Sequence, residues 1–246
     1  MQFAVYDDFA PWSYSEDGEL RGVDVDLAKL IAEELGVEAR IYATAAGENV
    51  DADLRNNIGR GQLIGGAVAN VMLHVPYDRE LSCRNEQIVL GGQYFNEELA
   101  IAYREEAFPD DPPVPAYFRF DTVGVENDSI SDFYLSGLAR GQIVPQMTRY
   151  ESYGDAMAAL ANGEVSAVMG PRGQLEHGME GTDGLAIHAP SFVGLARSEW
   201  PLGMAIRHNW RPLYYTVDDI IRAAVEDGRM EAIFAQHGLS WRPPEW

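Results

Sequence analysis

The chain has 246 residues, 46% of them hydrophobic, and its 39 acidic residues against 18 basic ones leave a formal charge of −21. That length supports a substantial core, built as one large domain or as two lobes of roughly a hundred residues each, and two lobes are expected. Nucleic acid is excluded as a partner because the sequence has no basic run to neutralise phosphates, and a membrane span is excluded because no apolar stretch nears the about 18 residues it requires.

Lys29 is the single lysine, so the remaining basic residues are arginines. An acid-rich, lysine-poor surface fits a protein working in high salt, where self-repulsion is screened, and it also fits attraction to a basic partner. The acids are scattered along the chain, which favours the salt explanation. Cys83 is the one cysteine, so no internal disulfide forms; it reads as a half-buried small apolar residue.

In chain order, residues 3–6 read as a strand that begins with no basic head or apolar signal core, so any secretion signal is expected to have been removed. Trp12 and Tyr14 follow that strand, where ligand crevices open in α/β sheets. They fit stacking on a planar ligand, lining a partner cleft, or ordinary loop packing. Asp17-Gly18 signals a turn; Asp24 or Asp26 then caps a helix carrying Leu27, Leu30, Ile31 and Leu35 and ending at Gly36. Residues 37–42 read as a strand, 51–60 as a polar helix, 66–73 as a buried strand ending near His74, and 88–90 as a short connection. His74 fits either a cleft position or a hydrogen-bonded core histidine. A second lobe starts near residue 98 with strands at 100–103 and 122–125, a helix after Ser129, a strand near 143–144, and a helix, turn and strand over 150–171. After residue 200 the chain returns to the first lobe and adds helices over 212–226 and 229–237.

Metal and enzyme signatures are sparse. His74, His177, His188, His208 and His237 show no i, i+4 pair. Glu48, Asp51 and Asp53 suggest a calcium or lanthanide loop, but Arg55 stands where a third ligand belongs, and a capped helix start is the better fit. No Gly-x-Ser-x-Gly elbow, Walker lysine or dinucleotide fingerprint occurs. Neither a metal nor a cofactor is expected, and no catalytic activity.

Three stretches carry a family likeness: Ala10-Pro11-Trp12-Ser13-Tyr14, Asp17-Gly18-Glu19-Leu20-Arg21-Gly22-Val23-Asp24-Val25-Asp26-Leu27-Ala28, and Ala159-Leu160-Ala161-Asn162-Gly163-Glu164-Val165. They resemble the "PPFSY…DGxLxGFDVDLA" opening and the "ALxNGEVDA" segment of family 3 extracellular solute-binding proteins, which capture amino acids for ABC transporters. The resemblance implies a type II periplasmic binding protein fold, with two α/β lobes joined by a two-stranded hinge. Residues 1–97 plus 198–246 would form the first lobe and 98–197 the second, in the periplasm. Gly47-Glu48-Asn49-Val50-Asp51-Ala52-Asp53-Leu54-Arg55-Asn56, Val71-Met72-Leu73-His74-Val75-Pro76, Arg84-Asn85 and Gly170-Pro171 are similar to a branch of accessory "J" proteins of methanol oxidation. That branch implies a partner, a PQQ-dependent alcohol dehydrogenase and its c-type cytochrome, which the protein binds or helps mature. The alternative is a transport receptor for a small anionic or aromatic solute.

Departures from the amino-acid binders concern charge. In transporting members the short strand corresponding to Val168-Met169-Gly170-Pro171 ends Gly-Asp and the aspartate pairs with the ligand's α-ammonium; here it ends Gly170-Pro171. The family's Thr-x-x-Arg carboxylate grip, counted back from Tyr94-Phe95, becomes Leu81-Ser82-Cys83-Arg84, so Arg84 either holds a carboxylate or forms a structural ion pair. Ser129, after Asp128, corresponds to a helix start that completes the carboxylate site. Secreted cyclohexadienyl dehydratases share the fold, but the missing strand-end acid disfavours that chemistry.

Overall fold

The computed structural model describes residues 1–61 and 68–245. In chain order they form β1 (Gln2–Tyr6), the hairpin β2 (Tyr14–Glu16) and β3 (Glu19–Arg21), α1 (Val23–Glu34), β4 (Arg40–Thr44), α2 (Val50–Leu54), β5 (Val71–Pro76), α3 (Arg79–Arg84) and the long β6 (Ile88–Arg104). Then come β7 (Val123–Glu126), α4 (Ile130–Gly137), β8 (Met147–Tyr150), α5 (Tyr153–Ala161), β9 (Ala167–Pro171), α6 (Arg172–Met179) and β10 (Leu185–His188). The chain closes with β11 (Glu199–Arg207), α7 (Arg211–Glu226) and α8 (Arg229–Gln236).

Two compact units result, one of residues 1–96 and 200–246 and one of residues 97–199. Both chain crossings fall inside strands, the first within β6 and the second within β11.

In the first unit the strand order is β4-β1-β5-β11-β6. β1 runs parallel to β4 and β5, and β11 returns antiparallel to β5. Phe3, Val5, Val71 and Leu73 put their side chains on the face that packs on α1 through Leu27 and Ile31 and on the C-terminal helices through Val217, Ile221 and Phe234. Burying each such side chain stabilises the unit by about 1.5–3 kcal/mol. The spacing of Val217, Ile221 and Ala224 is the 3.6-residue apolar stripe that makes α7 a surface helix with one buried face.

In the second unit β9 lies between β6 and β7, and β8 pairs beyond β7; β7, β8 and β9 are mutually parallel, while β6 runs antiparallel to β9 and β10. Ala100, Ala102, Ala156, Met157, Leu160, Val168 and Leu175 form a core between this sheet and α5 and α6.

Several expected elements are corrected. α1 is capped by Gly22 rather than by Asp24 or Asp26, because a φ of 123° and a carbonyl of Trp12 where a Cβ would sit admit only glycine. Residues 88–90 are the start of the 17-residue β6, not a connection. The strand near 143–144 is a 3₁₀ turn, and the strand follows it at β8. The proposed start of the buried strand at Gly66 lies outside the described residues; its described part is β5. Cys83 is exposed, not half-buried.

Candidate functional site

In parallel α/β sheets ligands bind outside the carboxyl ends of the strands, which in the first unit are Tyr6, Thr44 and Pro76. Trp12 stands behind this edge, with no surface exposed, its ring 4.7 Å from His74, 5.3 Å from Phe95 and 5.8 Å from Phe234. It is core, which corrects the stacking and partner-anchor alternatives: a ring enclosed by its own unit contacts nothing outside it. Tyr14 opens the β2–β3 hairpin, half-buried, opposite Arg21.

His74 takes the core alternative in an unusual way. Its φ of 58° lies in the left-handed region that a histidine in a strand rarely visits. The backbone is held there by Tyr94, whose hydroxyl accepts from the His74 N–H at 3.0 Å and donates to Asp24 Oδ1 at 2.6 Å. The other Asp24 oxygen is 3.2 Å from His74 Nδ1 without the alignment of a hydrogen bond. Phe9 meets the imidazole edge-on at 5.0 Å. Burial, with the Asp24 charge, pushes the Tyr94 hydroxyl well above its ordinary pKa, so it stays a donor. Burial and Asp53 act the same way on Tyr6, which donates to Asp53 Oδ2 at 2.9 Å.

The acids that suggested calcium have other partners. Asp53 also accepts from the Gly47 N–H at 2.8 Å, and Asp51 accepts from Arg84 and Asn85. Arg84 is therefore the structural ion pair, 3.3 Å from Asp51, at the C-terminal end of α3. The arginine that follows the carboxyl end of β5 is Arg79, the exposed first residue of α3. Counting from Tyr94-Phe95 missed it. A Thr-x-x-Arg spacing that finishes at Arg79 begins at Pro76, so the threonine hydroxyl is again lacking.

In the second unit the strand ends bring together Ser129, Ser152 and Pro171. Ser129 caps α4, its Oγ accepting from the Asp132 N–H at 3.2 Å. Asp132 is locked to Arg149 at 2.8 Å. Gly170 is glycine because the Tyr153 ring covers it: a Cβ would come within 2.3 Å of that ring. Pro171 starts α6 with no side-chain cap. The missing acceptor comes from β6, where Glu97 Oε1 accepts from the N–H of Glu98 at 2.9 Å and of Gly173 at 3.4 Å. Burial pushes the Glu97 carboxyl up to about 8, those two amides only partly offsetting it, so near neutral pH it is mostly protonated. The adjoining acids, Glu98 and Glu176, both hold Arg172, at 2.5 and 2.8 Å.

Residues 1–58 match the family model of bacterial extracellular solute-binding proteins, family 3. No curated protein matches the chain in sequence. Among solved structures, an ancestral cationic amino acid solute-binding protein is similar at a TM-score of 0.75 and 17% identity, covering 96% of this chain and 94% of that one. An amino acid ABC transporter substrate-binding protein from Streptococcus pneumoniae, bound to L-arginine, is similar at 0.66 and 21%, covering 97% and 94%. A histidine kinase sensor domain with similarity to periplasmic binding proteins is similar at 0.66 and 20%, covering 99% and 97%. The chain thus has the type II periplasmic binding protein fold, and its opening 58 residues carry the family 3 pattern.

Proposed function

We propose that the protein is a non-catalytic, extracytoplasmic solute-binding protein whose ligand carries no α-ammonium group. The carrying observation is the end of β9. Pro171 offers neither carboxylate nor N–H, Glu97 is buried and mostly uncharged near neutral pH, and Glu98 and Glu176 are engaged by Arg172. An ammonium buried there would lack its counter-charge, at a cost of several kcal/mol. The ligand class is a small anionic or aromatic solute. A ligand at a hundred times its Kd stabilises the native state by about 2.7 kcal/mol, so a thermal melting panel separates the cases. The common L-amino acids are expected to leave the melting temperature unchanged at millimolar concentration while a carboxylate or aromatic solute raises it. A clear shift with one amino acid overturns the proposal.

A second reading, the accessory of a PQQ-dependent alcohol dehydrogenase and its c-type cytochrome, draws support from an apolar patch in the second unit. Ile130, Phe133 and Val193 are exposed there around a shallow cavity of about 530 Å³; such patches mark interaction surfaces. Surface plasmon resonance against the dehydrogenase from the same genome tests it, with Phe133→Ser expected to abolish binding. No binding to the apo or cofactor-loaded enzyme removes this reading.

A further inference from the structure

α2 does not stop at Leu54 but widens into a π turn over Arg55–Gly59, closed by the Arg60 N–H donating to the Arg55 carbonyl at 2.8 Å. In an α-helix, residues five apart point about 140° away from each other. The i→i+5 bond of a π turn winds fewer degrees per residue and so narrows that divergence. The rare turn therefore brings two arginines nearer to one face, where like charges repel. Among the described residues neither Arg55 nor Arg60 has an acidic partner, in a chain with 39 acids available.

Both line a cavity of about 470 Å³ in the first unit, together with Arg84, Asn85, Gln87 and Cys83. Of the two acids on its wall, Asp51 is occupied by Arg84 and Asn85, which leaves Glu86. A neighbouring cavity of about 400 Å³ shares Gly59 and Gln87 and adds Arg207 and His208. Arg207 donates to the carbonyls of Ile58 and Gly59, fastening the π turn in place. The arginines that are dispersed in sequence are thus gathered in space, against the sign of the whole molecule.

Guanidinium forks match the oxygens of carboxylates and phosphates, with two donors per group, and give a spherical halide no such match. We propose that this cavity is an oxyanion site of the carboxylate or phosphate class, gripped by Arg55 and Arg60 with Arg84 at its rim. It lies at the opposite end of α3 from Arg79, and none of the strand-end residues Tyr6, Thr44 and Pro76 is among its described lining residues.

Cys83, single and exposed on the cavity wall, reports occupancy directly. Its alkylation by uncharged iodoacetamide, followed by intact mass, is measured with inorganic phosphate, with citrate, and with sodium chloride at matched ionic strength. An oxyanion at about ten times its Kd should slow the reaction about tenfold, following 1 + [L]/Kd. Chloride should leave the rate unchanged, and Arg55→Gln/Arg60→Gln should remove the protection. Protection by phosphate alone, or by citrate alone, supports the site and identifies the source. Arg60→Lys, which keeps the charge and loses the fork, should weaken protection and keeps the test valid should the double variant fail to fold. Equal protection by chloride, protection that persists in the variants, or none with either oxyanion overturns the proposal.

Discussion

Glu97 is the residue with the most to lose from a change in pH. Its carboxyl titrates near 8 in the folded protein because burial disfavours the charge, against an ordinary value of 4.5. Between those values the folded state binds a proton that the unfolded chain has released, so stability falls as pH rises, by up to about 1.4 kcal/mol per unit. Below about 4.5 this contribution is flat, because both states are protonated. Glu97→Gln keeps the acceptor for the Glu98 and Gly173 amides and removes the titration, so its urea midpoint should vary less between pH 5 and 8 than that of the parent. Equal pH profiles would show that the carboxyl is already ionised in the fold. Glu97 was invisible in the sequence because nothing local marks a strand glutamate as buried; α6 has to arrive first. Pro171 was legible, since proline lacks a donor and a carboxylate wherever it stands. Trp12 was ambiguous for the opposite reason: a loop tryptophan reads the same whether it faces a cleft or, as here, a core.

At the scale of elements, the helix start at Ser129 was legible, that of α1 was misplaced onto Asp24 or Asp26, and strand extents were the least legible. Ser129 and Ser152 each precede an aspartate three residues on, and each caps a helix. The Ser152 hydroxyl accepts from the Asp155 N–H at 3.1 Å and donates to its carboxylate at 2.7 Å. Ser152→Ala should therefore cost about 1 kcal/mol, read as a lower urea midpoint with an unchanged slope, and Ser152→Gly only a few tenths. An unchanged midpoint for the alanine variant would mean that α5 is held by packing alone. Caps are local chemistry and survive reading one residue at a time. The extent of β6 is not local: residues 88–90 and 100–103 gave separate signals, and only their pairing with β11 on one side and with β9 and β10 on the other makes them one strand. The widened turn after α2 had no signal either, since it depends on carbonyls that Arg207 ties down from more than a hundred residues away.

For the molecule as a whole, the charge of −21 decides the response to salt. Self-repulsion acts over the Debye length, which shrinks from about 10 Å at 0.1 M to about 3 Å at 1 M salt. Exposed ion pairs such as Arg21–Glu16 weaken too, but each is worth at most about 1 kcal/mol. Relief of repulsion should dominate, and the melting temperature by calorimetry should rise with sodium chloride over that range. A fall would mean that paired charges outweigh the unpaired excess. The fold was readable from the opening and 159–165 segments through the family likeness they carry, a hairpin leading into α1 and the end of α5, whereas the sheet order depends on pairings far apart in the chain. The sites were less so, because an arginine's role depends on which end of a short helix carries it, as Arg79 and Arg84 show.

The passage of β6 out of the first unit, and of β11 back into it, has a consequence for how the protein comes into being. Every strand of the second unit is encoded without interruption, and its ends meet where the Leu99 N–H donates to the Ser198 carbonyl at 2.8 Å. The first unit is split: Leu202, Met204, Ile221 and Phe234 belong to its core and are translated after the whole of the second unit. During synthesis or export, which proceed from the N-terminus, the second unit can finish folding while the first still exposes Phe3, Val5, Leu27 and Ile31. A segment translated before the second unit is thus buried only after it, and that interval is when a chaperone has most to shield.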